Sequence, residues 1–408
     1  MKSMSKTKTW KMVRTKRKPG RVAGVLATTA FLLICFCFSV PAGAQDAGKA
    51  PDAFLEAAAR GQLSVLARHL DQGVDPDSRY AQGLTALISA VIFGQKDAVE
   101  LLLARKASVG LARDDGFTAL MVAARTDRAD LVAMLLEAGA DPNRRGAGGM
   151  TALHYAAQGE SAASVAQLLE AGGDPNTMDQ SGNRTALILA AGSRQKSALD
   201  IVTELLAAGA KPNLAARDGW TPLMAATERV DLVRMKLLVD FGANVNAVTQ
   251  DGRTALMIAA DQGNALVVDW LLAQKAKANG NNQTAGSALA AAVKSRSLYA
   301  VRLVIEAGGD VNAPGPNGKT PLMLAAGSQG YEIADFLLKN GADPNAVNAK
   351  DGTTALMWAA NAGARKMVER LLAVGAQSGV KAHDGWTAVQ AALDAGHDDI
   401  AKLLNEQI

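Results

Sequence analysis

Four histidines are the side chains in this 408-residue chain that are best suited to ligate a metal or to transfer protons. They are His69, His154, His383 and His397, and no two of them stand at the spacing of roughly three to five residues that zinc sites favour. The sequence contains neither a Gly-x-Ser-x-Gly elbow nor a phosphate-binding loop. Catalysis needs groups that converge in a closed pocket. We therefore expect no enzyme activity, no cofactor and no metal site.

A row of methionines offers a second kind of chemistry, because thioethers bind soft metals. Successive members lie 103, 33, 66 and 34 residues apart. If each stands on its own helical unit, neighbouring sulfurs are about 8–10 Å apart. Two sulfurs on one metal must be much closer, since each metal–sulfur bond is only about 2.3 Å. We interpret the row as core packing. Its members are Met121, Met224, Met257, Met323 and Met357.

The elements that carry these residues are shown by the stretch 116–143. Thr118 is a typical N-cap, and the apolar residues that follow it have helical spacing. After a polar turn, a second apolar helix ends at Gly139, which suits the left-handed residue beyond a helix. Two helices this short are unstable alone, so the unit needs neighbours.

The neighbours are present along most of the chain. The capping position recurs at steps of 33, 33, 34, 36, 33, 33, 33, 34 and 33 residues. Its occupants are Thr85, Thr118, Thr151, Thr185, Thr221, Thr254, Ser287, Thr320, Thr354 and Thr387. A Leu-Leu pair and a glycine recur with it, as in Leu168, Leu169 and Gly172.

This pattern resembles the ankyrin repeat family, with its Thr-Pro-Leu-His-x-Ala-Ala signature and its period of about 33 residues. The resemblance covers residues 52–408 and implies an all-α ankyrin-repeat solenoid of about eleven helix–turn–helix units with short β-hairpin fingers. The units start near residues 52, 83, 116, 149, 182, 219, 252, 285, 318, 352 and 385. Residues 192–200 predict a longer connection in the fifth unit, and residues 280–283 predict a weak point before the eighth.

The resemblance also implies where a partner protein binds, because fingers and first helices form the concave binding face of ankyrin repeats. The residue after each finger glycine is free to vary, and aromatic residues and arginine anchor interfaces. Aromatic residues are only 4% of the chain, so their presence here is informative. The candidate binding residues are Phe117, Met150, Arg184, Trp220, Arg253, Lys319 and Trp386. The alternative is that these side chains only cover the adjacent finger.

Two other sets of residues on this face have a simpler interpretation. Polar residues just past each Ala-Ala pair, such as Arg125, form a second candidate set, but they are also typical of a solvated turn. Tyr155 and Trp358 fall on an inner position of the first helix, where we expect packing. Trp270 lies on the outer side of a second helix and is compatible with either role.

The N-terminus predicts export. Nine basic residues and no acid precede an apolar run over residues 22–40, which is followed by Pro41 and Ala42-Gly43-Ala44. This order is typical of a secretory signal peptide, here residues 1–44, with a linker over residues 45–51. The alternative is that residues 22–40 are retained as a membrane anchor. Cleavage removes both cysteines, Cys35 and Cys37, so the mature chain has no disulfide.

Cleavage also changes the charge. The chain has 43 basic and 39 acidic residues, and removing nine basic residues leaves 34 against 39, a net charge of −5. The apparent basicity therefore gives no evidence for nucleic acid binding. We expect a non-catalytic protein–protein interaction scaffold in the periplasm or outside the cell. The alternative is a membrane-tethered ankyrin adaptor, and a membrane is involved only if the N-terminal segment stays.

Overall fold

The computed structural model describes residues 50–159, 161–279, 287–315 and 317–406. The predicted signal peptide and the linker residues before Ala50 lie outside this part of the chain. The described residues contain 22 α-helices, which follow one another in pairs. No helix among them has the length and apolar composition needed to cross a membrane. The first helix begins at Ala50, two residues before the start of the predicted repeat domain.

The helices are numbered in chain order, so that odd numbers denote the first helix of each pair and even numbers the second. The first helices are α1 Ala50–Ala59, α3 Ala86–Ile92, α5 Ala119–Arg125, α7 Ala152–Gly159, α9 Ala186–Ala191, α11 Pro222–Glu228, α13 Ala255–Asp261, α15 Ala288–Lys294, α17 Pro321–Gly327, α19 Ala355–Asn361 and α21 Ala388–Asp394. The second helices are α2 Leu63–Asp71, α4 Lys96–Ala104, α6 Ala129–Glu137, α8 Ala162–Glu170, α10 Ala198–Ala207, α12 Leu232–Asp240, α14 Ala265–Ala273, α16 Leu298–Glu306, α18 Tyr331–Lys339, α20 Arg365–Ala373 and α22 Asp398–Asn405.

Hydroxyl caps begin the first helices as the sequence predicts. The Thr118 hydroxyl accepts from the backbone N–H of Met121 at 3.3 Å, and Ser287 accepts from Ala290 at 3.0 Å. The same bond forms at every other predicted capping position except Thr151. There, the Thr151 side chain pairs with His154 Nδ1 at 3.0 Å. Each cap satisfies one of the donors that a helix start leaves without a partner.

The core lies between the helix pairs and is built largely from the first helices. In α5, every residue from Ala119 to Ala124 is buried, so this helix packs on all sides rather than on one face. The second helix α6 buries only Leu131, Val132 and Leu135 and leaves its other positions partly or fully exposed. The five methionines of the row are at most 4% exposed and fill this core.

The loops between units are closed turns rather than strands. In the described residues the β-structure is limited to one isolated bridge between Ala112 and Thr118. A main-chain hydrogen bond closes each loop that the structure describes in full, for example from Ala216 N–H to the Trp220 carbonyl oxygen at 2.8 Å. Neighbouring loops are joined through bonds such as Gln250 N–H to the Asp218 carbonyl oxygen, also at 2.8 Å. We call these closed loops the fingers.

The predicted longer connection is present between α9 and α10. It comprises residues 192–197, where the corresponding connection between α5 and α6 comprises only residues 126–128. Arg234, from the following unit and 5% exposed, fills the space beside it. Its guanidinium donates to the carbonyl oxygens of Ala190, Ala191 and Ser193 at 2.8–3.1 Å. The other predicted irregularity, residues 280–283, lies outside the described residues.

Candidate functional site

The seven candidate binding residues lie on seven separate fingers, and all seven are half-buried. The finger backbone explains their position. At Trp220, the preceding glycine, Gly219, has a φ of +85°, and a Cβ there would come within 2.7 Å of the Thr249 Cα on the next finger. Only glycine combines this left-handed conformation with so close an approach. The following side chain is thereby turned onto the first helices and leaves one side open to solvent.

Phe117 forms the most complete cluster on this face. Its ring lies 4.8 Å from the ring of Tyr155, measured between centroids. Tyr155 is on α7, one unit further along the chain. The Arg125 guanidinium also lies over the Phe117 ring, 4.9 Å from its centroid. Burial lowers the pKa of Arg125 and raises the pKa of the Tyr155 phenol. The cation is thus partly desolvated, and its charge is aimed at an aromatic face.

Lys319 forms a similar pair six units further along. Its Nζ lies 3.2 Å from the centroid of the Trp358 ring, and burial lowers the pKa of the amine. The indole Nε1 of Trp358 donates to the Thr353 hydroxyl at 3.0 Å, which fixes the ring. Gly327 lies beside the indole, and a Cβ there would make an ordinary contact with the ring at 3.5 Å. Lys319 and Trp358, like Phe117 and Tyr155, belong to consecutive units.

Arg184 is committed to its own finger. Its Nε donates to Asp179 Oδ2 at 3.1 Å, and the Asp179 side chain is completely buried. Burial alone would raise the pKa of Asp179, but backbone N–H bonds from Gly182 and Arg184, the Arg184 charge and the Ser181 hydroxyl together lower it. The Arg184 carbonyl oxygen also pairs with His154 Nε2 at 3.1 Å. The polar groups of this finger are therefore largely satisfied within the chain.

The remaining four candidates differ in how strongly they are held. Trp386 Nε1 donates to Asp394 Oδ2 at 3.0 Å, and this bond ties the indole to the end of α21. The rings of Trp220 and Trp386 and the side chain of Met150 all pack partly against the core. The backbone N–H of Arg253 donates to the Thr249 hydroxyl at 2.8 Å. Packing or a hydrogen bond therefore positions the side chains of Trp220, Trp386 and Met150, whereas at Arg253 it is the backbone that is held.

Tyr155 and Trp358 are the residues whose part in this face sequence reasoning missed. The sequence predicts that both are packing residues, and both do pack in or against the core, but each one also pairs with a finger residue of the preceding unit. A spacing of 38 or 39 residues separates Phe117 from Tyr155 and Lys319 from Trp358. That spacing is one period plus the distance from a finger to the inner side of a first helix, and it is the signal that could have identified both pairs.

Over the residues for which the structure gives positions, no group of three or more His, Cys, Asp or Glu side chains converges as metal ligands. His154, the most buried histidine, is engaged at both ring nitrogens, by Thr151 and by the Arg184 carbonyl oxygen.

Comparison with known proteins gives one clear result. No curated protein matches the sequence significantly. The family model for ankyrin repeats in three copies matches residues 54–146, 144–216, 193–282, 267–348 and 344–407. Ankyrin repeats are generally protein–protein interaction modules, and proteins of this family are typically non-catalytic scaffolds. The matches cover the chain from residue 54 to residue 407, and the chain therefore belongs to the ankyrin repeat family.

Proposed function

We propose that this protein is a non-catalytic scaffold that binds a partner protein in the periplasm or outside the cell. Residues 1–44 act as a cleaved signal peptide, residues 45–51 as a linker and residues 52–408 as the binding domain. The domain comprises eleven repeat units, and the closed loops between them act as fingers, the counterpart of the short β-hairpins that the sequence predicts. The partner docks on the fingers and first helices, and neither a cofactor nor a nucleic acid takes part.

The observation that carries this proposal is the pairing of aromatic rings with partly buried cations on the finger face. Arg125 over Phe117 and Lys319 over Trp358 are two such pairs, and they lie far apart along the same face. Aromatic and arginine side chains contribute most to binding energy when a partner excludes the remaining water. A partner that covers both pairs would strengthen each cation–aromatic interaction, because the interaction grows as the cation is desolvated.

A retained membrane anchor is the alternative for the N-terminus. The apolar residues 22–40 are just long enough to span a bilayer. Determining the N-terminus of the protein that cells accumulate separates the two cases. A start at Gln45 supports cleavage, whereas a start at Met1 or Met4 would establish the tethered adaptor.

The binding face is tested by site-specific photocrosslinking in the native compartment. A photoreactive residue is placed at Met150 or Arg253 on the fingers, and at Glu100 on the exposed side of α4 as the control. We expect the finger positions to give the same protein adduct and the Glu100 position to give none of it. An adduct from Glu100 alone, or no adduct from either finger, would place the interface elsewhere.

A further inference from the structure

The outer side of three consecutive second helices carries exposed apolar residues where most other units carry charge. Val233 on α12, Leu266 on α14 and Tyr299 on α16 occupy the same position and are 61%, 73% and 60% exposed. α18 holds Glu332 at this position, and the exposed Tyr331 one residue earlier adds an apolar side chain beside the row. Five of the remaining units hold a charge at this position, and two hold a small residue: Asp97, Asp130, Asp200, Lys366 and Asp399, and Ser64 and Ala163. The solenoid therefore does not need an apolar residue here.

The next exposed position on these helices forms a row of charges. One helical turn further, α12, α14, α16 and α18 present Lys236, Asp269, Arg302 and Asp335. Lys236, Asp269 and Arg302 are exposed, and Arg302 lies over the ring of Phe336, 5.5 Å from its centroid. Asp335 already pairs with Lys339 at 2.7 Å and with Arg370 at 2.9 Å. The charges alternate in sign along the row.

When four charges of alternating sign face the same four charges in reverse order, each charge meets one of opposite sign. A two-fold axis parallel to the helices, between α14 and α16, would bring this face against the same face of another molecule in reverse order. Asp269 would then meet Arg302 of the second copy, and Arg302 would meet Asp269 of the second copy. Lys236 and Asp335 would pair in the same way at the two ends. Leu266 would pack against Tyr299 of the second copy at the centre of the contact.

From this self-complementarity we propose that the outer face of α12, α14, α16 and α18 is an isologous homodimer interface. The apolar row supplies the buried contact, and the two central Asp269–Arg302 pairs fix the order of the helices. Four helices about 9 Å apart, each about 13 Å long, offer an area at the small end of specific interfaces. Interfaces at this small end of the range are typically weak and transient, so we expect a dissociation constant of about 10 μM.

The dimer uses the second helices and leaves the fingers open, so it is independent of the proposed partner-binding function. Two finger faces in one dimer would hold two partner molecules together. Loss of dimerisation would leave single-site partner binding intact, and loss of partner binding would leave the dimer intact. The two proposals can therefore fail separately.

The test is sedimentation equilibrium of the protein in the processed form that cells accumulate, at concentrations from about 1 to about 100 μM, on either side of the expected dissociation constant. We expect a monomer–dimer equilibrium that weakens as salt is raised, because the pairing charges are near the surface. Asp269→Arg and Arg302→Asp should each raise the dissociation constant at least about tenfold, because each places like charges opposite one another. Glu100→Arg, at the equivalent position of α4, is the matched control and should change nothing.

Mixing the two charge-reversal variants gives the decisive measurement. At the two central positions, 269 and 302, the Asp269→Arg chain carries two positive charges and the Arg302→Asp chain carries two negative charges. The mixture should therefore form a heterodimer, although neither variant dimerises well alone. A wild-type chain that stays monomeric at about 100 μM, tenfold above the expected dissociation constant, would overturn the proposal. So would a mixture that remains monomeric, or variants that dimerise like the wild type, because the charge row would then play no part.

Discussion

The side-chain amide of Asn143 donates to the carbonyl oxygen of Gly172, at the end of the next unit's second helix, at 2.8 Å. The Asn143 Oδ1 atom accepts from the backbone N–H of Asp174 at 2.7 Å. One side chain thus clamps two backbone groups of the turn that follows α8. The same two bonds form at Asn176, Asn213, Asn246, Asn279, Asn312 and Asn345.

Gly110 interrupts this series of asparagine side chains. It occupies the position of Asn143 one unit earlier, its φ is not left-handed, and a Cβ there would meet nothing within 4 Å. We predict that Gly110→Asn raises the free energy of unfolding by about 1 kcal/mol, through two partly exposed hydrogen bonds to Gly139 and Asp141 and reduced freedom of the unfolded chain. Urea denaturation followed by circular dichroism measures the change.

The control for this prediction is Gly110→Ala, which reduces the freedom of the unfolded chain but makes neither hydrogen bond. The asparagine variant should be more stable than the alanine variant. Equal stability of the two would show that the clamp contributes nothing measurable at this junction.

The buried Arg234 leads to a second prediction. Its guanidinium joins three carbonyl oxygens of the α9–α10 connection and the carboxylate of Asp231, which lies 2.8 Å from Nε. Replacement by methionine keeps much of the side-chain volume but leaves these carbonyls and the carboxylate without their donor. We predict that Arg234→Met lowers the free energy of unfolding by about 2–4 kcal/mol.

Thermal and urea denaturation of Arg234→Met check this value. Arg194→Met, an exposed arginine in the same connection, is the matched control and should change stability by less than about 0.5 kcal/mol. If both variants behave like the wild type, Arg234 does not hold the longer connection in place.

Arg234 also shows where sequence reasoning stops. The caps, the helix-ending glycines and the longer connection after Gly192 follow from local rules, because each depends on residues a few positions apart. The contact of Arg234 with Ala190 joins residues 44 positions apart and depends on how two units stack. The seven finger residues could be placed on their fingers from sequence alone. Their partners, such as Tyr155 for Phe117, do not follow from a local rule, because they lie on the next unit and only a spacing of 38 or 39 residues points to them.

His154 makes the stability of the chain depend on pH. Its Nε2 lies 3.1 Å from the Arg184 carbonyl oxygen and must carry the proton that it donates. Its Nδ1 therefore accepts from the backbone N–H of Thr151 at 3.2 Å. Burial lowers the pKa of His154, while the hydrogen bond to Arg184 and the charge of Asp179 act in the opposite direction. Protonation of Nδ1 would set two donors against each other.

The sign of the effect follows from this lowered pKa. The unfolded chain binds a proton at His154 at a higher pH than the folded chain does. Stability from this residue is therefore present above the unfolded pKa of about 6.5 and falls as the pH drops below it, by at most about 1.4 kcal/mol per pH unit. We predict that His154→Met flattens the decrease in melting temperature between about pH 6.5 and pH 5.

Methionine is the informative replacement, because Met121 and Met323 fill the equivalent position in other units. Melting temperatures of the wild type and His154→Met, compared from neutral to mildly acidic pH, give the result. His383→Met, an exposed histidine, is the control and should leave the pH profile of the wild type unchanged. An identical acid profile for wild type and His154→Met would contradict the assignment.

The last prediction concerns the finger face and uses Trp220 and Trp386. Both rings are half-buried and pack partly against the core, and both present their remaining surface on the finger side. If they anchor a partner, Trp220→Ala plus Trp386→Ala should abolish capture of the protein identified by crosslinking, while the helical circular dichroism of the chain stays the same. The double variant should also lose some stability, about 1–3 kcal/mol, because the rings are part of the packing.

Trp270→Ala, on the outer side of α14, is the control. It removes an aromatic ring without changing the binding face and should leave capture intact. Capture that is unchanged in the double variant would assign these two rings to packing alone and would leave the Phe117 and Lys319 clusters as the remaining anchors.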